Sequence, residues 1–152
     1  MEETTYALTT APNPALKQLD KLVGTWDVSD PSGKGEISGQ VRFEWIEGGY
    51  FLVQHLYLEH SGHQIRGMEI IGYNRDWDGA TSPDCTSHLF DNQGNTFTYV
   101  WDVEDDALTI WGGERNSPAY FNGKFSDNHN TLTGAWVWPG GGYASEMTRS
   151  KA

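Results

Sequence analysis

The sequence predicts an all-β protein, a closed antiparallel meander barrel of about ten strands with one short N-terminal helix. Seven Trp, seven Tyr and six Phe occur beside 18 Gly. Aromatic residues favour strands, and glycine marks turns and bulges. Apolar runs recur with short turn signals between them, as in a meander. An open sheet of so many strands would leave two exposed edges, which closure removes, so a two-sheet sandwich is the weaker alternative.

Residues 1–13 are predicted to form a disordered or loosely docked arm, and residues 14–152 a single domain. The one predicted helix spans residues 14–23, because its first residue is a proline and Leu16, Leu19 and Leu22 follow at helical spacing. Asx-, Ser- and Gly-rich turn signals separate the strands that follow. These strands are predicted at about 24–29, 39–46, 49–60, 63–73, 83–90, 95–103, 107–111, 118–125, 131–138 and 143–149.

The charge balance and the cysteine content restrict the function classes. The chain has 10 Lys and Arg against 21 Asp and Glu, a net charge of −11. Nucleic acids and anionic membrane surfaces bind clustered cations, so neither is an expected partner. Cys85 is the only cysteine, which excludes an intrachain disulfide and fits a reducing compartment. With a polar N-terminus and no long apolar run, the cytoplasm is the expected location.

Alternation of side chains along the strands indicates which residues point inward. Large rings on these faces can fill part of a barrel and line a cavity for one small ligand. The run at 50–58 is apolar on both faces, so its outer side is expected to meet either the helix or a second subunit in a homodimer. The aromatic residues predicted to bind a ligand on the inward faces are Phe43, Trp45, Tyr99, Trp101 and Trp136.

Three segments carry a family resemblance: LVGTW at 22–26, FEWIEGGYFL at 43–52 and IGYN at 71–74. In this order they resemble bacterial lipocalin-like proteins of unknown function within the calycin superfamily, and more distantly fatty-acid-binding and nitrobindin-like barrels. The resemblance implies a barrel with a ligand cavity. The haem-binding relatives use a histidine on a late strand, whereas His129 here lies in a turn. No haem and no other cofactor is therefore expected.

A set of titratable residues is predicted to converge inside the barrel. His55 and Tyr57 share one strand face, Glu69 lies on the next strand, and His88 on a neighbouring one. A histidine oriented by a carboxylate can act as a general base or hold the polar end of a ligand. The predicted function is a binding protein for a small hydrophobic or aromatic molecule. The alternative is an isomerase, cyclase or hydrolase that uses His55 or His88 with Glu69.

No metal site is predicted. The segment Asn74–Gly79 is similar to the first half of a calcium loop, but Cys85 occupies the position where such a loop has its bidentate Glu. Cys85 and His88 are three residues apart, which sends them to opposite faces of a regular strand. A Cys–His nucleophile pair is therefore not expected either.

Overall fold

Ten antiparallel strands pair around a closed barrel in the computed structural model, which describes residues 11–151. Consecutive strands are neighbours throughout, and the last strand returns to pair with the first. The predicted fold class is confirmed. The strands are β1 (Gly24–Ser29), β2 (Ile37–Trp45), β3 (Phe51–His60), β4 (His63–Arg75), β5 (Thr81–Asp91), β6 (Thr96–Glu104), β7 (Ala107–Gly112), β8 (Tyr120–Phe125), β9 (Thr131–Trp138) and β10 (Gly141–Arg149).

The predicted helix is present as a 3-10 helix, Pro14–Leu22. Its three buried residues, Leu16, Leu19 and Leu22, are spaced by three, which suits the three residues per turn of this helix type. Of the arm predicted over 1–13, only the last three residues belong to the described part of the chain. Among residues 11–151 no helix is long and apolar enough to cross a membrane.

The helix lies across one end of the barrel. The indole N–H of Trp45, at the end of β2, donates to the Asp20 carboxylate at 2.8 Å. The Lys21 ammonium donates to the backbone carbonyl of Asp105, in the turn that follows β6. Both contacts lie where β2 and β6 finish, so the helix closes that end, which we call the helix end.

Arg149 joins the last strand to the first at the helix end. Its guanidinium carbon lies 4.3 Å from the ring centroid of the fully buried Trp26. The same group donates to the carbonyl of Lys21 at 2.8 Å and of His129 at 3.1 Å, and also to the carbonyl of Val23. One side chain thus connects the helix, β1, β10 and the turn between β8 and β9.

Apolar side chains fill the barrel at the helix end, whereas the interior is open toward the opposite end. Several large side chains at the helix end, Trp26 and Phe125 among them, are almost inaccessible to water. Phe97 and Trp138, at the opposite end, are 51% and 40% exposed. The cavity therefore lies between the packed core at the helix end and the opening at the opposite end. The apolar side chains of that core with the least exposure are Leu22, Trp26, Leu52, Ile71, Leu108 and Phe125.

Candidate functional site

The interior of the barrel contains a cavity of about 370 Å³. Its volume lies within the range of about 300–1,000 Å³ typical of small-molecule sites. Leu22 of the helix contributes to the lining from the helix end, and Phe97 and Trp138 line the mouth. The mouth is formed by the turns that follow the odd-numbered strands, because the helix covers the other end.

Aromatic rings form one wall of the cavity. The ring of Trp136 meets Tyr99 edge-on at 5.8 Å and Phe121 at 5.5 Å between centroids. Nearer the mouth, Trp138 and Tyr143 make a second edge-on pair at 5.9 Å. All five rings line the cavity. Such a wall can stack on a planar ligand or attract a cation to the ring faces.

A buried polar cluster faces the aromatic wall. The Gln54 amide donates to Glu69 Oε1 at 3.0 Å, and the Ser87 hydroxyl donates to Glu69 Oε2 at 2.6 Å. The indole N–H of Trp101 donates to the Ser87 hydroxyl at 2.9 Å, which completes a chain of four side chains. Glu69 is 5% exposed and lines the cavity together with Gln54 and Trp101. The cluster fixes the position of a carboxyl group inside a largely apolar site.

Burial raises the pKa of Glu69 to about 7, against the lowering effect of the Ser87 hydrogen bond and of the nearby Trp101 indole N–H. The neighbouring phenol of Tyr99 has its pKa raised by burial and by the Glu69 charge. The described cavity lining contains no Lys or Arg, and its other charged or titratable non-phenolic groups are His60 and Asp91. The Glu69 carboxylate is therefore not neutralised by a protein cation in the site.

Several polar atoms of the cavity wall are free to bind a ligand. Within residues 11–151, no protein hydrogen bond is made by the hydroxyls of Tyr99, Tyr143 and Ser145 or by the indole N–H of Trp136. These atoms remain accessible, because no side-chain polar atom of the described residues is both fully buried and without a hydrogen-bond partner. These atoms supply hydrogen-bond donors and acceptors at several points of the cavity wall besides the Glu69 carboxyl.

Five of the residues predicted to line the interior do so, namely Phe43, Glu69, Tyr99, Trp101 and Trp136. Trp45 shares their inward parity but packs at the helix end, where it contacts Asp20, and is not part of the cavity lining. The alternation of apolar and polar residues in β2 and β6 was sufficient to assign these faces.

The predicted convergence of His55, Tyr57 and His88 with Glu69 is wrong. The His55 ring lies on the outer face, with Nε2 2.8 Å from the Glu44 carboxylate. Tyr57 is 56% exposed, and His88 is also exposed. The residues of β3 that point inward are the even-numbered ones. Because β3 is apolar on both faces, alternation did not show which face points inward.

Sequence reasoning missed Gln54 and Ser87, the direct partners of Glu69. A usable signal was present in the turn between β3 and β4. Ser61 and Gly62 both have positive φ, 51° and 82°, as a two-residue hairpin turn requires. Such a turn fixes the register, and counting back from it places Gln54 directly opposite Glu69. Paired residues share a face, so the turn also excludes His55 from that face.

Metal binding and thiol chemistry find no support in the described part of the chain. No group of three or more His, Cys, Asp or Glu side chains among residues 11–151 is arranged to hold a metal ion. The Cys85 thiol is buried, and burial raises its pKa to about 12. A thiol with such a pKa stays protonated and is a poor nucleophile near neutral pH.

The fold and the cavity define the class: a closed antiparallel barrel of ten strands with an internal cavity, consistent with a calycin-like fold. No protein-family model matches the chain, and no curated protein matches it significantly.

Proposed function

We propose that this protein binds a small hydrophobic or aromatic molecule inside its barrel, in the manner of a lipocalin-like binding protein. The observation that carries the proposal is the cavity of about 370 Å³, which is walled by aromatic rings and contains a buried polar cluster. Apolar walls with a few placed polar groups are typical of small-molecule sites. The rings would hold the body of the ligand, and the polar cluster would orient it.

The geometry favours binding over the catalytic alternative. That alternative requires a histidine beside Glu69, and His55 and His88 both lie outside the barrel. The one described histidine that lines the cavity is His60. Its ring is tilted by 44° against that of Tyr143, with 4.6 Å between the centroids, and it lies near Glu36 at the mouth. Glu69 instead contacts Gln54 and Ser87, neither of which is a general base at neutral pH.

The proposal is tested with the uncharged fluorophore N-phenyl-1-naphthylamine, whose emission rises in apolar sites. Ser145 lines the cavity from β10, and its neighbour Ala144 lies on the opposite face of the same strand. Ser145→Phe places a ring in the cavity, whereas Ala144→Phe adds the same ring outside it. We expect fluorophore binding to be retained in Ala144→Phe and lost in Ser145→Phe.

Near-UV circular dichroism checks that both variants fold, and Ser145→Met provides a smaller filling group if the phenylalanine is not accommodated. Equal binding by both phenylalanine variants, or no binding by the unmodified protein, would contradict a ligand site in the barrel. The cytoplasmic location, the homodimer and the lack of nucleic-acid or membrane partners stay predictions from the sequence.

A further inference from the structure

The charge inside the cavity restricts the chemistry of the ligand. The lining has two carboxyl groups, Glu69 deep inside and Asp91 near the mouth, and in the described residues it has no Lys or Arg. Arg42 on β2 and Arg66 on β4 lie elsewhere: Arg42 pairs with Glu44 on the outer face, and Arg66 covers the ring of Tyr57. A ligand carboxylate or phosphate would therefore meet two carboxyl groups and no Lys or Arg with which to pair.

The hydrogen bonds of the cluster do not require a charged side chain at position 69. Gln54 and Ser87 both donate to it, and an amide oxygen could accept such hydrogen bonds without a charge. A carboxylate in this apolar position is strongly disfavoured unless a cation accompanies it. The protein supplies no Lys or Arg in the described site, so Glu69 is either protonated or paired with a cation that the ligand brings.

We propose that the ligand is an organic cation, an ammonium group on a compact aromatic or apolar body, whose charge pairs with Glu69. This inference rests on the proposed function and specifies its ligand class. Ammonium groups donate charge-assisted hydrogen bonds to carboxylates. Tyr99 lies close enough for the Glu69 charge to affect its phenol, and the ring faces of Tyr99 and Trp136 add cation–π attraction.

The charge of the whole chain acts in the same direction. A net charge of −11 attracts cations toward the protein and repels anions. Asp91 at the mouth and Glu36, which lies 4.0 Å from the ring of His60, extend this negative field along the entrance. A cationic ligand is thus favoured on approach, at the mouth and at the deep carboxyl group.

Three probes that share an indole ring separate the ligand classes: tryptamine, tryptophol and indole-3-acetate end in an ammonium, a hydroxyl and a carboxylate. Their affinities are measured by isothermal titration calorimetry. A charge-assisted hydrogen bond predicts that tryptamine binds at least about tenfold more tightly than tryptophol, with indole-3-acetate the weakest.

Glu69→Gln keeps the shape of the side chain and removes its charge. We expect it to weaken tryptamine binding by about tenfold and to change tryptophol binding by less than about twofold. The matched control is Glu44→Gln, which removes a carboxylate on the outer face of the same barrel and leaves both affinities unchanged.

Tryptamine affinity is expected to rise from about pH 5.5 to 8 as Glu69 ionises, whereas tryptophol affinity is not. The other titratable groups that line the site are Tyr99 on β6, Tyr143 on β10, Asp91 on β5 and His60 on β3, and Cys85 on β5 lies in the apolar core. The pKa values of Tyr99, Tyr143 and Cys85 are raised by burial, so these groups stay protonated over this range. His60→Asn tests whether the histidine contributes to the rise.

Tryptophol binding that equals or exceeds tryptamine binding, or an unchanged tryptamine affinity in Glu69→Gln, would overturn the cation proposal. In that case N-phenyl-1-naphthylamine still binds, and the proposed function stands with an uncharged ligand. Failure of the uncharged fluorophore to bind the unmodified protein removes the cavity site itself, and the cation proposal falls with it.

Discussion

At the scale of single residues, Glu69 differs from the other carboxyl groups whose pKa is shifted. Hydrogen bonds lower the pKa values of Asp30, Glu44 and Asp91, which are all near the surface. Burial raises the pKa of Glu69 to about 7 from its usual value of 4.5. Between pH 4.5 and about 7, Glu69 is therefore protonated in the folded state and ionised in the unfolded state. Because the folded state binds the extra proton, the contribution of Glu69 to the unfolding free energy falls as the pH rises.

Glu69→Gln is expected to remove this decrease of the unfolding free energy with rising pH. The stabilisation linked to Glu69 is fully present below its unfolded pKa and is lost as the pH rises through about 7, a change of roughly 3 kcal/mol. Relative to the unmodified protein, Glu69→Gln should therefore gain roughly 3 kcal/mol in unfolding free energy between about pH 4.5 and 8. Urea unfolding followed by tryptophan fluorescence measures the difference at each pH.

The Glu44→Gln variant is the control for this experiment. Hydrogen bonds from His55 and Arg42 hold the pKa of Glu44 below its usual value, so its contribution is present above that value and is lost only in acid. Its stability difference from the unmodified protein should change little above about pH 5. A Glu69→Gln difference that is equally flat would show that Glu69 is not buried as described.

At the scale of secondary-structure elements, the barrel depends on how its first and last strands are joined. β1 pairs with β10 over four residue positions, one of the shorter ladders of the barrel. Arg149 reinforces this seam by stacking on Trp26 and donating to three backbone carbonyls. Because those carbonyls belong to the helix end and to the turn between β8 and β9, the side chain stabilises elements far apart in sequence.

Arg149→Lys is expected to lower the unfolding free energy by about 2–3 kcal/mol, because an ammonium cannot reproduce the planar stacking and the several directed hydrogen bonds of a guanidinium. Chemical denaturation measures the change. Arg42→Lys is the matched control, since Arg42 is 46% exposed and pairs with Glu44 at the surface, where the change should stay within about 0.5 kcal/mol. Equal effects of the two substitutions would contradict a special role for Arg149.

At the scale of the whole molecule, the net charge of −11 opposes compaction. Raising the ionic strength from about 0.01 to 0.15 M shortens the screening length from about 30 to 8 Å, so distant like charges repel less. We expect the melting temperature to rise by roughly 2–4 °C, about 1 kcal/mol for a chain of this length. Scanning calorimetry at the two salt concentrations measures the shift.

The same comparison near the isoelectric point, about pH 4.6, removes the net charge and should remove the salt effect. A melting temperature that falls with salt at neutral pH would mean that local ion pairs outweigh the overall repulsion. Arg115 with Asp84 and Asp102 is one such network, at 2.8 and 3.5 Å.

The strand positions and most inward faces could be predicted from sequence, because turn signals and alternation are local properties. Phe43, Tyr99, Trp101 and Trp136 were assigned to the interior in this way. β3 could not be assigned by alternation, since its apolar residues lie on both faces. His55 was therefore wrongly predicted to point into the barrel, and Gln54 was not predicted to do so. The two-residue turn after β3 sets the register that pairs Gln54 with Glu69.

The sequence by itself determined an all-β chain, one short helix, ten strands and an acidic surface, because these follow from residue type, spacing and composition. Only the tertiary structure decided that Gln54, Glu69, Ser87 and Trp101, from four strands, meet in one hydrogen-bonded cluster. Their meeting depends on strand register and barrel closure, which bring distant parts of the chain together. The low-dielectric surroundings that raise the pKa of Glu69 exist only after that closure.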